Sequence, residues 1–417
     1  MEEIDERELA AAQVLALTSP EFADIRIDLG MARAEFASAA AARQTAELWS
    51  SIADVLDDAV GHPEIFLDSR ARLSESERRD YAVRSAVADL AVRLCVAETT
   101  VRAWGSGAQT LRTRTPRIWA SFREGAVSAA NARIVVELVN ELPPDACAAF
   151  EDALLDAAAR LAPARFRAVA RSARERVHEE AIAERHRRAA AARRVVVEDE
   201  LDGMSWLSLY LPSATAHRAF AGVDAAARSL QHPDEVRTLD QLRADVAGDV
   251  LTGEASGTPV AVSIAVTVPV LTLLGASDEP GLMEGVGPID AETARLLAAD
   301  APSFVRLLTH PVTGAVLELD RTTYRVPADL RRSLRHRDRS CRFAGCGRAA
   351  ARCDVDHIAE WQHGGATDAA NLIHLCRHHH RLKSVARWRA QPPDAGAATV
   401  KWTSPTGVVV EAEPPPF

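Results

Sequence analysis

The chain has 417 residues, of which 47% are hydrophobic and 26% charged, and its formal net charge is −10. A chain of this length and composition folds into two or three domains with their own cores, which excludes general disorder. The N-terminal "MEEIDERELA" is acidic where a secretory signal is basic, and no apolar run reaches the ~18 residues that span a bilayer. We therefore expect a cytoplasmic protein that does not enter a membrane.

Residues 1–190 are rich in alanine and carry apolar residues at helical spacing, as in "ACAAFEDALLDAAARL", which predicts a helical N-terminal region. The proline pair in "NELPPDA" ends one helix at about Asn140 and begins the next. The stretch "RFRAVARSARERVHEEAIAERHRRAAAARR" is typical of one long, charged helix with a solvent-exposed exterior.

One segment of this region has the spacing of a helix-turn-helix. "LAVRLCVAETTVRAW" places Ala91, Cys95 and Val101 at the expected intervals, with Cys95 where glycine usually makes the turn. The segment either binds DNA or consists of two core helices of a bundle. Its acidic surroundings favour the bundle.

Residues 191–326 mix the two periodicities, which predicts a mixed α/β region. Asp202-Gly203 lies between two runs of β-branched and aromatic residues, a strong hairpin signal. "SATAHRAFAGVDAAARSL" and "TLDQLRADVAGDVLTG" are typical of helices, "TPVAVSIAVTVPVLTLLG" of a buried strand, and "GASDEPGLMEGVGP" of an exposed loop. "FVRLLTHPVTGAVLELD" predicts a second hairpin.

A basic module at residues 327–390 follows, and then a C-terminal tail at 391–417. Pro327 is placed to open a basic helix. Residues 331–390 contain 13 Arg and Lys against 5 Asp and Glu, a balance of +8 that leaves −18 for the rest of the chain. A local basic patch is what binding to DNA requires, although a merely solvated basic surface is the alternative.

Four of the six cysteines fall in this module, where a reducing compartment makes metal binding more plausible than disulfides. Cys341 and Cys346 form C-x4-C, and Cys376 and His379 form C-x2-H, with 29 residues between the two pairs. Two short-spaced ligand pairs predict a closed tetrahedral zinc site. We expect Cys353 to be a small buried hydrophobe rather than a fifth ligand.

The residues between and after the ligand pairs suggest a second site. Asp356 and His357 are adjacent in a predicted short strand, so their side chains project differently. Asn371 follows a loop that contains a Gly-Gly turn. On the helix that begins near Cys376, His380 is turned by a further ~100° from His379, so the two histidines can serve different metals.

The order His357, Asn371, His380 flanked by cysteine pairs resembles the HNH endonuclease family, whose fold is two strands and a helix around a metal (ββα-metal). This resemblance covers roughly residues 335–390. The whole chain is similar to HNH proteins of GC-rich Gram-positive bacteria that carry a long N-terminal domain of unknown function. The upstream likeness rests on "FREGAVSAANARIV", "LRADVAGDVL" and the long helices.

The resemblance implies the roles of the site residues. His357 would be the general base that activates water, and Asp356 and His380 would hold a catalytic divalent cation, Mg²⁺ or Mn²⁺. Asn371 would orient the base or contact the cation. The zinc would be structural. The partner implied is DNA, and no small-molecule organic cofactor is expected.

The chemistry agrees with these roles, because phosphodiester hydrolysis needs a base that titrates near neutral pH and a cation with open coordination positions. We expect contacts to backbone phosphates from Arg331, Arg332, Arg335, Arg337, Arg377 and Arg381. We expect the other histidines of the module to be surface or loop residues: His336, His363, His374 and His378. Trp361 and Trp388 are expected to pack in its core.

Two other functions compete with the nuclease. A non-catalytic zinc-containing DNA-binding protein would bind DNA without cleavage, but it has no need to keep Asp356, His357, Asn371 and His380 together. A zinc-stabilised protein-interaction domain would neither bind nor cut DNA.

Overall fold

The computed structural model describes residues 22–178, 180, 182–200, 203–253, 266–283, 286–299, 326–361, 364–391 and 399–412. The contacts divide the chain into two compact units. The first consists of residues 1–179, Arg381–Arg389 and Trp402–Val410, and the second of residues Glu180–His380, Ala390–Lys401 and Glu411–Phe417.

The first unit is helical, as the sequence predicts. Its helices are α1 (Ala23–Gly61), α2 (Pro63–Phe66), α3 (Glu75–Leu94), α4 (Glu98–Arg114), α5 (Pro116–Glu124), α6 (Ala129–Val139), α7 (Ala146–Arg160) and α8 (Pro163–Val177).

Local sequence signals set several of these helix ends. The Ser74 hydroxyl accepts from the Glu77 amide at 3.3 Å while the Glu77 carboxylate accepts from the Ser74 amide at 2.8 Å, so two otherwise unpaired donors at the start of α3 are satisfied. Gly125 ends α5 with φ +87°. A Cβ at Gly125 would lie 2.5 Å from the Ala39 carbonyl oxygen, so only glycine fits there.

Large side chains fill the core of the first unit. Trp49, Phe122, Phe150 and Phe166 are almost completely buried. The rings of Trp49 and Phe122 meet edge to face, with centroids 5.5 Å apart. Burying one side chain of this size stabilises the fold by roughly 1.5–3 kcal/mol, so the helices are held together mainly by apolar packing.

The helix-turn-helix segment is formed. α3 ends at Leu94, Cys95 takes the left-handed conformation with φ +54°, and α4 begins at Glu98. Ala91 and Val101 are buried. Cys95 therefore occupies the turn position of glycine, as predicted, and both helices contribute to the first unit's packing.

The prediction of one long charged helix after residue 164 is wrong. α8 ends at Val177, and α9 (Ile182–Ala191) is a separate helix. Phe166, Ala170 and Ala173 form the apolar face that α8 buries. Among the residues of α9 whose side chains the structure describes, 183–191, none is buried, and a helix that buries no face gains little stability from packing.

The second unit begins with α9 and the predicted hairpin. β1 (Arg194–Asp199) pairs antiparallel with β2 (Ser205–Tyr210), with Arg194 opposite Tyr210, and Gly203 has φ +73°. The further elements are α10 (Ser213–Ser229), α11 (Leu239–Thr252), β3 (Val266–Thr267), α12 (Val270–Leu273), β4 (Gly281–Met283), β5 (Gly287–Ile289) and α13 (Ala291–Ala299).

The stretch "GASDEPGLMEGVGP" is not only a loop. It contributes β4 and β5, which form a three-stranded sheet in the order β3-β4-β5. Ile289 is buried, and a Cβ at Gly281 would lie 2.7 Å from the Cβ of Ala294 on α13. This packing against α13 explains why short strands form in a segment that the sequence predicts to be a loop. The predicted hairpin at 304–320 and residues 258–265 of the predicted buried strand lie outside the described residues.

The basic module has the predicted order of helix, two strands and helix. Its elements are α14 (Ala328–Asp338), a short 3₁₀ turn (Ala350–Arg352), β6 (Asp354–His357), β7 (Leu372–Leu375) and α15 (Arg377–Val385). β6 and β7 are antiparallel, with His357 opposite Leu372. Leu330 and Leu334 of α14 pack on Leu372.

Part of the segment predicted as a tail is a sheet. β8 (Arg389–Gln391), β9 (Val400–Thr403) and β10 (Val409–Ala412) are ordered β10-β9-β8. Residues 413–417, which include most of "EAEPPPF", lie outside the described residues.

Candidate metal centre and active site

The four predicted zinc ligands form one cluster. The ligand atoms of Cys341, Cys346, Cys376 and His379 all lie within 4.8 Å of one another. His379 Nδ1 is 3.4 Å from the Cys341 sulfur and 3.3 Å from the Cys376 sulfur. Zinc bonds of ~2.0–2.3 Å in a tetrahedron put ligand atoms roughly 3.3–3.8 Å apart, so this Cys₃His set fits zinc.

The surrounding chain holds these ligands in place. Gly345 has φ +76° and turns the C-x4-C segment, and the Cys346 amide donates to the Phe343 carbonyl at 3.1 Å. The Phe343 ring stacks on the His379 imidazole at 4.0 Å between centroids. Hydrogen bonds from the other two thiols lower the pKa of Cys376, whereas the pKa values of Cys341 and Cys346, which donate those bonds, are raised.

Cys353 stays outside the ligand set, as expected. Its thiol is 3.3 Å from the Ala349 carbonyl oxygen, and the residue is half-buried. It lies between the 3₁₀ turn and β6, where its thiol bonds to the local backbone.

Asp356 and His380 come together beside this cluster. Asp356 Oδ1 lies 3.5 Å from His380 Nε2. Asp356 belongs to β6 and His380 to α15, whose start is tied to the cluster because the His380 amide donates to the Cys376 carbonyl at 2.8 Å. Two cation bonds of ~2.1 Å at an open angle span such a distance, so the pair fits a shared divalent cation.

His357 has different surroundings. It is the last residue of β6 and is buried, with Nε2 3.0 Å from the Thr367 hydroxyl. The Trp361 ring stands edge-on to the imidazole, 6.2 Å away. Trp361 is 39% exposed, so the expectation that it packs in a core is wrong, whereas Trp388 is buried as expected.

Asn371 holds the loop that follows His357. Its side-chain oxygen accepts from the Ala359 amide at 2.8 Å, and its side-chain nitrogen donates to the carbonyls of Ala359 at 3.0 Å and Ala366 at 2.8 Å. A Cβ at Gly365 would lie 1.9 Å from the Ala359 oxygen. The asparagine amide therefore closes the loop, and the glycine is required for that closure.

His374 is not a surface residue, contrary to the prediction. It is buried, and both its amide and its Nδ1 lie 2.9 Å from Asp338 Oδ2. Strand alternation puts His374 on the same face as Leu372, toward α14. His336 is half-buried, with Nδ1 3.4 Å from the Thr267 hydroxyl, and His378 is half-buried on α15. His363 lies outside the described residues.

Asp338 is a buried carboxylate that the sequence did not single out. Burial raises the pKa of this carboxyl, but hydrogen bonds from His374 and Arg337, with the charge of Arg337, outweigh burial, so the pKa is lowered. Arg342 Nε lies 3.8 Å away, and burial lowers the pKa of that guanidinium. The charged network ties the last residue of α14 to β7.

The arginines expected to contact DNA have different environments. Arg335 is half-buried. Arg381 lies over the Tyr81 ring at 5.7 Å and donates to its hydroxyl at 3.3 Å. Four of the six are exposed: Arg331, Arg332, Arg377 and Arg381.

Arg337 makes several hydrogen bonds inside the protein. Its guanidinium donates to the Asp338 carboxylate at 2.8 Å, to the Leu372 carbonyl at 2.5 Å and to the Ala369 carbonyl. The Ala369 and Leu372 carbonyls lie on either side of residues 370 and 371. Since its donors are used inside the protein, Arg337 supports the Asn371 segment.

A two-stranded ribbon and a helix, with a Cys₃His cluster at their junction, define a ββα-metal module of the HNH type, and residues 341–385 match the model of the HNH endonuclease family. The chain thus carries an HNH endonuclease domain. The chain belongs to the family described as domain of unknown function DUF222, whose model matches residues 58–338.

The chain is similar to several proteins of Mycobacterium tuberculosis. Uncharacterized protein Rv2100 is 44% identical over 93 residues, which are 22% of this chain and 16% of that protein. Uncharacterized protein Rv3776 is 41% identical over 93 residues, 22% of this chain and 17% of that protein. Uncharacterized protein Rv1702cMb1728c is 26% identical over 185 residues, 44% of this chain and 39% of that protein.

The match thus spans 16% and 17% of the length of the first two relatives. No solved structure matches the chain significantly. Among the helices within the described ranges, none is both long enough and apolar enough to cross a membrane.

Proposed function

We propose that this protein is a metal-dependent HNH endonuclease that hydrolyses DNA phosphodiester bonds. The observation that carries the proposal is the 3.5 Å approach of Asp356 Oδ1 to His380 Nε2 within the ββα-metal module. A carboxylate and an imidazole at this spacing suit Mg²⁺ or Mn²⁺ and leave positions for water and phosphate. When bound, the cation would stabilise negative charge on the scissile phosphate.

His357 is the proposed general base. The 3.0 Å contact between its Nε2 and the Thr367 hydroxyl supports the ring in one orientation. An imidazole titrates near neutral pH and therefore accepts a proton from water under physiological conditions. The scissile phosphate would lie across the end of β6, where Asp356 and the terminal His357 project from opposite faces of the strand.

Asn371 is proposed to orient the base through the backbone. Its amide bonds hold Ala359, two residues after His357, and its carbonyl accepts from the Ile358 amide at 2.7 Å. These bonds support orientation of the base over direct contact with the cation. The zinc cluster is proposed to be structural, because a closed set of four protein ligands leaves no position for substrate.

Phosphate contacts are proposed from the exposed Arg331, Arg332, Arg377 and Arg381, and from the half-buried Arg335 and Arg337. These contacts would position DNA without reading its sequence. We place the activity in the cytoplasm, since a reducing compartment keeps the three cysteine ligands available as thiols.

The test is cleavage of supercoiled plasmid by the full-length protein with Mg²⁺, Mn²⁺ or EDTA. His357→Ala should lower the rate by about 10²–10⁴-fold, which is the usual contribution of a general base, and should leave the zinc content unchanged. His217→Ala is the matched control, because His217 is an exposed histidine on α10.

Metal-dependent cleavage at wild-type rates by the His357→Ala variant would contradict the assigned base. DNA binding without cleavage under any of these cations would instead favour a non-catalytic zinc-containing DNA-binding protein.

A further inference from the structure

A second carboxylate faces His380. Asp354 Oδ2 lies 3.6 Å from His380 Nδ1, while Asp356 Oδ1 lies 3.5 Å from His380 Nε2. The imidazole is therefore placed between two aspartates, one at each ring nitrogen. Asp354 and Asp356 are two residues apart on β6, so their side chains leave the same face of the strand.

The two aspartates cannot have the same role. The nitrogens of an imidazole point away from each other across the ring, so a cation at Nε2 is separated from Asp354 by the ring itself. Asp356 is mostly buried, with a side-chain exposure of 16%, whereas the exposure of Asp354 is 62%. Asp356 thus suits the cation side of the ring and Asp354 the opposite side.

The same backbone framework fixes all three groups. Asp354 pairs across the ribbon with Leu375, the residue before the zinc ligand Cys376. The Cys376 carbonyl in turn accepts from the His380 amide at 2.8 Å. Strand register therefore places the backbone of Asp354 close to the start of α15, within reach of His380.

We infer that Asp354 is a positioning residue for His380. With its carboxylate 3.6 Å from Nδ1, it favours the tautomer that carries the proton on Nδ1 and leaves the Nε2 lone pair facing Asp356. A carboxylate behind a metal-binding histidine fixes the ring orientation and makes the ligand nitrogen more basic. This inference rests on the proposed function, because it requires a cation between Asp356 and His380.

The first measurement is Mn²⁺ binding to the zinc-loaded, full-length protein by titration calorimetry. Asp354→Ala should weaken Mn²⁺ binding by about 10–100-fold, as loss of such a partner usually does. Asp354→Asn should have a smaller effect, because the amide oxygen still accepts from Nδ1. His380→Ala should abolish the site, and Asp249→Ala, which changes an exposed aspartate of α11, should bind Mn²⁺ as the wild type does.

The second measurement is the His380 tautomer by ¹⁵N NMR in the cation-free, zinc-loaded protein, with the signal assigned from His380→Ala. The wild type should favour protonation at Nδ1, and Asp354→Ala should shift the population toward Nε2. Zinc content near one equivalent in each variant shows that the module is folded. Wild-type affinity together with a wild-type tautomer in Asp354→Ala would overturn the inference.

Failure of this inference differs from failure of the proposed function. Weaker Mn²⁺ binding in Asp354→Ala with no DNA cleavage by the wild type would support the positioning role and reject the nuclease. Cleavage that is lost in His357→Ala, with Mn²⁺ bound equally well by Asp354→Ala and the wild type, would support the nuclease and reject the positioning role.

Discussion

The helical first unit and the HNH module reach stability by different means. The first unit buries a continuous apolar core that includes Trp49, Phe122, Phe150 and Phe166. In the module, Leu330, Leu334 and Leu372 form a small buried cluster between α14 and β7, and further apolar side chains such as Phe343 and Leu382 are buried. The module adds four metal ligands and a buried charged network around Asp338.

The apolar core of the first unit and the ligand cluster of the module should respond differently to the loss of one side chain. An apolar core is redundant, because the loss of one side chain leaves many contacts intact. A metal cluster is not, because each ligand is one of four and the binding free energy is also folding free energy. Changes in the metal ligands should therefore affect the module and leave the helical unit largely folded.

Removal of the zinc should have the largest effect. Cys376→Ser takes away one of four ligands, and structural zinc sites in small domains contribute about 10–16 kcal/mol. We expect loss of the bound zinc and unfolding of β6 and β7, with most of the helical circular dichroism signal retained. Metal analysis and far-ultraviolet circular dichroism measure both effects. Cys353→Ser is the matched control and should keep its zinc; cooperative loss of all helical signal in Cys376→Ser would break the comparison.

A core substitution should show the opposite pattern. Phe150 is fully buried in the first unit, so Phe150→Ala removes a large contact area and should cost about 3–5 kcal/mol of unfolding free energy. Urea denaturation measures this cost, while the zinc content should remain that of the wild type. Phe36→Ala is the control, because Phe36 is 71% exposed. Equal destabilisation by both variants would show that the apolar cluster does not hold the unit.

The buried carboxylate of the module should have a smaller, pH-dependent effect. Asp338→Asn keeps the shape but removes the charge that Arg337 and Arg342 face, which should cost about 3 kcal/mol at neutral pH. Because the folded-state pKa of Asp338 is lowered, its contribution is present above the unfolded pKa of ~3.9 and is lost as the pH falls through the folded value.

The stability difference between wild type and Asp338→Asn should therefore be largest near neutral pH and narrow below about pH 4. Urea denaturation at several pH values measures it. A difference that does not change with pH would mean that the charge of Asp338 is not what stabilises the module.

The sequence predicted the ligand cluster because its information is local. Each ligand pair has the spacing of a short turn, Cys341 with Cys346 and Cys376 with His379. In the structure the two pairs meet in one cluster. The hairpin between β1 and β2 could also be predicted from Asp202-Gly203, since turn formation depends on neighbouring residues.

The residues that the sequence missed depend on distant partners. His374 is polar, so its burial in β7 follows only from its partner Asp338, 36 residues away. The inferred role of Asp354 depends on its contact with His380, which lies on α15. The break after Val177 was missed because helical propensity continues there although the buried apolar face stops.

The 29 residues between the two zinc ligand pairs also set an order of events during synthesis. The ribosome releases Cys341 and Cys346 first, and they have no partner pair until Cys376 and His379 emerge. His380 follows immediately. A chain whose synthesis stops before Cys376 therefore has half a zinc site and one of the two proposed cation ligands. Under the proposed function, interrupted translation would release no active nuclease into a cell whose own DNA is the nearest substrate.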